Sequence, residues 1–232
     1  MEISMRVLLG TMAVLFFIQF ASSQTHNFYI GGGYNYPTSS SLIGQEYYSE
    51  TKKIYGSFAE GYNFYGGYSM FIGDNLGFDL VYFHLIGFRY KRYEIIQSAF
   101  FSEFDNSSSI VIPSLILKTS IGNFIPYMKF GLSINWITLK IRKTSASLYI
   151  PKIEHKYEGN NLVGISTAIG VNYILFQNLY LFTDLHLNSI TFFPTKYSYY
   201  EDGKLVQSRD INMETSFPFS ALDLSFGIKL EL

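Results

Sequence analysis

Hydrophobic and polar residues alternate along several stretches of this chain, most clearly at its C-terminal end. Within ALDLSFGIKLEL, residues 221–232, every second residue from Leu222 to Leu232 is Leu, Ile or Phe. The residues between them are Ala, Asp, Ser, Gly, Lys and Glu. Because successive side chains of a β-strand point to opposite faces, this pattern predicts a strand with one apolar face and one small or charged face.

The same alternation recurs often enough to predict eight strands and no internal helix. We place these strands at residues 28–36, 59–72, 76–90, 108–120, 127–136, 162–173, 178–189 and 221–232. Segments rich in Gly and Asn predict tight turns at 73–75, 122–124 and 177–178. The chain therefore has the pattern of an all-β protein.

Long connections alternate with the tight turns along the chain. We expect surface loops at about 37–58, 91–106, 142–160 and 194–218, which hold most of the Ser, Lys, Glu and Asp outside the strands. This alternation places every short turn at one end of the sheet and every long loop at the other. Both ends of the strand-forming region then fall at the short-turn end, as in a single up-and-down domain.

Periodicity alone does not say which face is buried, since a soluble barrel or sandwich would show the same period with the apolar face inward. The predicted strands are longer than the roughly 5–6 residues usual in globular sheets and suit the roughly 9–11 needed to cross a membrane. Gly, Ser and Ala dominate the polar face, as the narrow interior of an eight-stranded barrel requires. Aromatic residues gather near strand ends, as in membrane-barrel girdles. We therefore predict an eight-stranded antiparallel up-and-down transmembrane β-barrel.

Composition and the N-terminus restrict the compartment and the partners. The chain is 48% hydrophobic and 15% charged with a net charge of -1, which gives no support to a nucleic-acid partner. It contains no Cys, which removes disulfides and thiol chemistry. Residues 1–23 combine Arg6, an apolar core and small residues, which predicts a cleaved signal peptide. The barrel would then occupy residues 24–232; an uncleaved membrane anchor is the alternative.

Several charged residues fall on the predicted inward face. They are Asp79, Asp184, Asp223 and Glu231 with Arg89, Lys118, Lys129 and Lys229, so acids and bases balance. We expect them, with His186, to form an interior network. Asp79 and Lys118 lie on neighbouring strands and can pair directly if the stagger of the barrel brings them level. Buried charges must pair or change protonation, so the network is interpreted as a plug of ion pairs; a narrow selective pore is the alternative.

The sequence offers little catalytic chemistry. Asp184, His186 and Asn188 share the inward face at two-residue spacing, whereas Ser189 points outward, so no nucleophile and base are expected to meet there. The four His residues show no metal-binding spacing, and no catalytic residue, metal or cofactor is expected. Tyr197, Tyr199 and Tyr200 in the longest loop are candidates for contact with a ligand; an ordinary solvated hairpin is the alternative.

The strand and turn plan resembles the small eight-stranded outer-membrane barrels of the OmpA and OmpX type. The resemblance is carried by FGLSINW (130–136), GISTAIGVNY (164–173) and LSFGIKLEL (224–232). It implies an integral protein of a Gram-negative outer membrane with periplasmic termini, surrounded by outer-membrane lipids and inserted by the barrel assembly machinery. Two departures are Leu232, where many members end in an aromatic residue, and the lack of a following peptidoglycan-binding domain.

Two classes of function remain from the sequence. We favour a non-enzymatic, monomeric barrel that presents surface loops for a structural, adhesion or ligand-binding role, with an extracellular ligand that the sequence does not identify. A small lipid-modifying enzyme or a narrow channel is the alternative. The two differ in whether His186 meets a Ser or Thr at the membrane rim.

Overall fold

The computed structural model describes residues 24–38, 41–48, 50–56, 59–88, 90–96, 98–145, 151–211 and 217–232. The predicted signal peptide at residues 1–23 lies outside this part. Its strands are β1 (Gln24–Pro37), β2 (Ser41–Tyr48), β3 (Glu50–Gly56), β4 (Gly61–Ile72), β5 (Leu76–Gly87), β6 (Tyr90–Ile96), β7 (Ser98–Lys118), β8 (Phe124–Ser145), β9 (Ile153–Phe176), β10 (Leu179–Ser189), β11 (Thr191–Phe192), β12 (Lys196–Glu201), β13 (Lys204–Asp210), β14 (Phe217–Pro218) and β15 (Ala221–Glu231). The described residues contain no helix long and apolar enough to cross a membrane.

Eight of these strands close into an antiparallel barrel. Each of β1, β4, β5, β7, β8, β9, β10 and β15 pairs with the next in this order, and β15 pairs back onto β1. The C-terminal strand lies between β10 and β1 and thereby seals the barrel wall. The prediction of an eight-stranded antiparallel barrel is confirmed.

The three tight turns lie at one end of the barrel, where β1 also begins and β15 ends. The first turn joins Ile72 to Leu76, and its Gly73 has a φ of 69°, a left-handed conformation that glycine adopts without steric cost. We call this the turn end and the opposite end the loop end.

At the loop end the structure has strand where the sequence pattern indicated loops. β7, β8 and β9 are 21, 22 and 24 residues long and run through most of the segments 91–106 and 142–160. Within 194–218, β12 and β13 form a hairpin whose first strand pairs with β9. Inward apolar residues and outward polar residues still alternate in these segments. The outward residues, however, are Lys, Arg and Glu rather than Leu and Phe. The segments were predicted as loops because of these charged residues.

The barrel wall presents its apolar face outward. Phe226 is 59% exposed, Leu132 53% and Leu230 46%. Further exposed members of this face are Phe28, Ile30, Phe64, Phe78, Leu80, Leu115, Leu117, Phe130, Ile165, Ile169 and Ile228. Water-soluble proteins rarely expose continuous apolar surface beyond a few hundred Å². The soluble-barrel alternative would need this face in its core and is wrong.

Candidate functional site

The interior of the barrel centres on a buried ion pair between two strands that are not neighbours. Lys129 Nζ of β8 lies 2.9 Å from Asp79 Oδ2 of β5, with only 10% and 0% of the two side chains exposed. The Tyr29 hydroxyl of β1 donates to the Asp79 carboxylate at 2.8 Å and accepts from Lys129 Nζ at 3.0 Å. One carboxylate thus links three strands across the lumen.

The stagger of the barrel does not bring Asp79 and Lys118 level, and the direct pair between them is absent. The register of β5 and β7 sets Asp79 opposite Ser114, whereas Lys118 lies four residues nearer the turn end. Four residues of strand span about 13 Å, too far for an ion pair. Lys118 Nζ instead lies 3.8 Å from the centre of the Phe71 ring.

Tyrosine side chains contact two more of the predicted charged residues. Lys229 Nζ lies 5.6 Å from the ring centre of Tyr29 and 5.3 Å from that of Tyr127. Glu231 accepts a hydrogen bond of 2.9 Å from the Tyr180 hydroxyl. The sequence reasoning did not include these tyrosines in the network, although their inward register could have been read from the alternation of each strand.

The interior is therefore not the plug of ion pairs that the charge count suggested. Among the described residues, Asp79 and Lys129 form the one ion pair in the lumen. Asp223 accepts hydrogen bonds from Asn63 and Ser225 rather than from a cation. Arg89 lies outside the residues whose side chains are described. Hydrogen bonds to carboxylates and cation–π contacts take the place of most of the expected pairs.

His186 meets a serine, and both side chains are buried inside the barrel. Its Nε2 hydrogen-bonds to Ser166 Oγ of β9, and its ring stacks on Phe83 with centroids 4.9 Å apart. Asp184 accepts from Tyr127 at 3.1 Å, and Asn188 donates to Asn135 Oδ1 at 3.4 Å. Ser189 is exposed on the outer wall. The residues that would form a catalytic set are thus dispersed among separate partners.

The cavity beside the buried histidine of the lumen is small. The cavity beside His186 and Asp184 measures about 10 Å³, whereas ligand pockets are usually about 300–1,000 Å³. Towards the loop end the lumen is closed by an apolar mouth cluster. It consists of Ala59, Leu85, Phe104, Ile137, Leu139, Ile190, Phe192, Phe219 and Ala221.

Beyond the barrel, the loop-end parts of β8 and β9 form an extension sheet with β12 and β13. On its inner face the Tyr197 hydroxyl lies 2.7 Å from His155 Nδ1, and the two rings are stacked. Tyr157 and Tyr199 contact the same pair of rings. Burial lowers the pKa of His155, and the charge of Lys143 lowers it further. A neutral aromatic group therefore holds the hairpin on β9.

The three tyrosines proposed for ligand contact do not act as one group. Tyr197 and Tyr199 lie on the inner face of the extension sheet, where the Tyr199 hydroxyl donates to Glu201 at 2.5 Å. Tyr200 pairs with Glu154 and belongs to the outer face. A strand cannot present three such residues on one side.

Arg142 organises the outer face of the extension sheet. Its Nε donates to Glu154 at 2.7 Å, and its Nη1 lies 3.3 Å from Asp105 and 3.7 Å from Glu103. The hydrogen bond to Glu154 is the main cause of the raised pKa of Arg142. Sequence reasoning missed this group because it lies in a segment expected to be loop. In the part of the chain that is described, no cluster of His, Asp and Glu is arranged to bind a metal.

Comparison with solved structures gives the fold. A major outer membrane protein from Thermus thermophilus superposes with a TM-score of 0.60 at 12% identity, over 90% of this chain and all of that one. OprG from Pseudomonas aeruginosa gives 0.47 at 14%, over 90% and 95%; Neisserial surface protein A gives 0.42 at 14%, over 90% and 97%. No model of a known protein family and no curated protein sequence matches the chain. The first of these structures supports an outer-membrane barrel fold.

Proposed function

We propose that this chain is a monomeric, integral protein of a Gram-negative outer membrane that neither conducts nor catalyses through its lumen. In this proposal its role is to hold a rigid sheet outside the membrane for a structural, adhesion or ligand-binding task. Outer-membrane lipids surround it, the barrel assembly machinery inserts it, and its termini are periplasmic. A fold of this type serves many functions. The proposal therefore rests on two features of this chain, the packed interior of the barrel and the exposed sheet at its loop end.

The contrast between lumen and extension sheet carries the proposal. The cavity beside His186 in the lumen measures about 10 Å³, and the mouth cluster packs together towards the loop end. In contrast, β8 and β9 are 22 and 24 residues long, about twice the roughly 9–11 residues that a membrane strand needs. The surplus strand forms an ordered surface with its own hydrogen-bond and ion-pair network, which supports a role outside the membrane.

The enzyme and channel alternatives have weaker support. Among the residues that the structure describes, the contact between Ser166 and His186 is what favours catalysis, but both residues are buried. A channel would need a polar path past Phe192 and Phe219, which are 0% and 2% exposed in the mouth cluster.

Labelling of single cysteines in intact cells tests the proposal, since the chain contains no Cys of its own. Lys204→Cys lies at the tip of the β12–β13 hairpin and Asp74→Cys in the first tight turn. A membrane-impermeant maleimide should label Lys204→Cys in intact cells and Asp74→Cys only after the outer membrane is broken. Labelling in the reverse order, or recovery of both variants in a soluble fraction, would contradict the proposal.

A further inference from the structure

Three polar side chains meet on the outer wall of the barrel. Ser109 Oγ of β7 lies 3.2 Å from the Tyr82 hydroxyl and 3.2 Å from His84 Nδ1, both of β5. The register sets Ser109 directly opposite His84. The neighbours Phe64 on β4 and Ile86 on β5 are exposed apolar residues of the same outer face. We call Tyr82, His84 and Ser109 the wall cluster.

The wall cluster has more donor hydrogens than internal hydrogen bonds. The tyrosine and serine hydroxyls each carry one donor hydrogen, and a neutral imidazole carries one N–H in either tautomer. The two contacts within the cluster use two of these three donors. Among the described residues, no further group accepts a hydrogen bond from the cluster. At least one donor therefore remains for a partner outside the protein, whichever tautomer His84 adopts.

The height of the wall cluster indicates which acceptor it meets. Leu76 begins β5 at the turn end, and His84 follows eight residues later. At about 3.4 Å per residue and a tilt of about 40°, His84 lies about 21 Å from Leu76 along the membrane normal, within an apolar band about 25 Å tall. Trp136 of β8 lies directly opposite Ser109, and Trp is enriched at the membrane–water interface. The cluster is therefore level with the acyl linkages of lipids in the outer leaflet.

We propose that the wall cluster binds an acyl carbonyl oxygen of an outer-leaflet lipid through its unused donor. The inference rests on the proposed outer-membrane location. An unpaired donor costs free energy in an apolar environment, and a carbonyl oxygen at this depth satisfies it. Ser109 and His84 have the residue types of a nucleophile and a base, but no described carboxylate contacts His84 to orient its ring. The cluster is therefore assigned to binding and not to cleavage of the lipid.

The test uses the full barrel in lipid bilayers and its own fluorescence. Trp136 is the single Trp of the chain and is 37% exposed on the outer wall, so a phosphatidylcholine with brominated acyl chains should quench its emission. Non-brominated lipid is then added in increasing fractions, and the recovery of emission gives the affinity of that lipid for the wall beside Trp136. The two competitors are dioleoyl phosphatidylcholine and its ether-linked analogue, which has the same headgroup and no acyl carbonyl.

Two matched triple variants separate the cluster from the rest of the wall. Tyr82→Phe/His84→Phe/Ser109→Ala removes all three donors and keeps two rings. The control removes three hydroxyls from the outward faces of β9 and β10, nearer the turn end. It is Thr167→Val/Tyr173→Phe/Thr183→Val. Folding of each variant is checked by its gel mobility before boiling.

We expect the unaltered protein and the control to prefer the ester-linked over the ether-linked lipid by about 3-fold, as one additional hydrogen bond predicts. The cluster variant should show no preference. An unaltered protein without preference would overturn the inference and leave water as the acceptor, and the same preference in the cluster variant would overturn it as well. If no brominated lipid quenches Trp136, the lipid-facing wall and the proposed location fail. Loss of the preference alone leaves both intact.

Discussion

Asp79 joins three strands in the interior of the barrel. Its carboxylate is fully buried and is shared by the Lys129 ammonium and the Tyr29 hydroxyl. Removal of one partner from such a group leaves the other charge buried without compensation, which is far more costly than replacement of both by apolar groups.

We predict that Asp79→Asn lowers the free energy of unfolding by about 3 kcal/mol, because Lys129 loses its counter-charge. Asp79→Asn/Lys129→Met should recover most of this loss. Urea unfolding in micelles measures both variants, and a single variant as stable as the unaltered protein would contradict the role given to this pair.

Glycines in the wall make room for the tyrosine rings of the lumen. A Cβ atom on Gly67 would lie 2.3 Å from the Tyr29 ring, whereas one on the outward-facing Gly66 would meet nothing closer than 3.7 Å. Gly170 has the same relation to Tyr127, at 2.5 Å. The small inward residues thus determine where rings can lie flat against the wall.

We predict that Gly67→Ala reduces the yield of folded barrel, because Tyr29 must move and its hydrogen bond with Asp79 is disturbed. Gly66→Ala is the matched control at the neighbouring position and should fold as the unaltered protein does. The folded fraction is read from gel mobility without boiling; equal yields for the two variants would show that the close packing of Tyr29 on Gly67 has no such effect.

At the residue scale, the sequence predicted which side chains face inward but not which of them pair. Alternation placed Asp79, Lys129 and Lys229 on one face. Pairing depends on the register between neighbouring strands. Lys118 lies four residues along β7 from Ser114, the residue opposite Asp79, and is therefore out of reach. That register is set by the whole closed barrel and leaves no local signal in a single strand.

Among the elements, the hairpin of β12 and β13 is attached through one edge of β9. The hydrogen bond and ring contact between His155 and Tyr197 join the side chains of β9 and β12. The pKa of His155 in the folded protein lies below its ordinary value of 6.5 because the ring is buried near Lys143. The detached hairpin would therefore take up a proton more readily than the docked one, so protonation favours detachment.

We predict that the docking contribution of His155 is fully present above about pH 6.5 and is lost progressively as the pH falls below it. Hydrogen exchange of the β12 amides should be faster at about pH 5.5 than at about pH 7.5, relative to the intrinsic rates. His155→Phe keeps a ring without the titration and should remove this difference. The same pH dependence in His155→Phe would assign it to another group.

The sequence pattern predicted the strands of the barrel wall correctly. It did not predict that several of these strands continue into the extension sheet. The rule that strands alternate apolar and polar residues works where lipid covers one face. In β8 the alternation of Leu139 and Ile141 with Lys140 and Arg142 obeys the same rule, but its outward face meets water. A search for alternation without regard to the polarity of the outer face would have extended the strand.

For the whole molecule, the packed lumen has a direct electrical consequence. We predict no steady conductance above the bare bilayer when the purified barrel is reconstituted in planar membranes. The reason is that the mouth cluster and the buried rings of Tyr29, Tyr65, Phe83 and Phe182 pack across the lumen. Stable, reproducible conductance steps would contradict this account of the interior and would favour the narrow-channel alternative.

The central claim is a closed barrel whose apolar face meets lipid, and gel mobility of the detergent-extracted protein tests it most directly. The account predicts that the unboiled protein, recovered in the outer-membrane fraction, resists SDS and migrates differently from the boiled protein, since the closed β-sheet has no free edge through which to unravel. A protein that is released in the soluble fraction and migrates identically before and after boiling would contradict the claim.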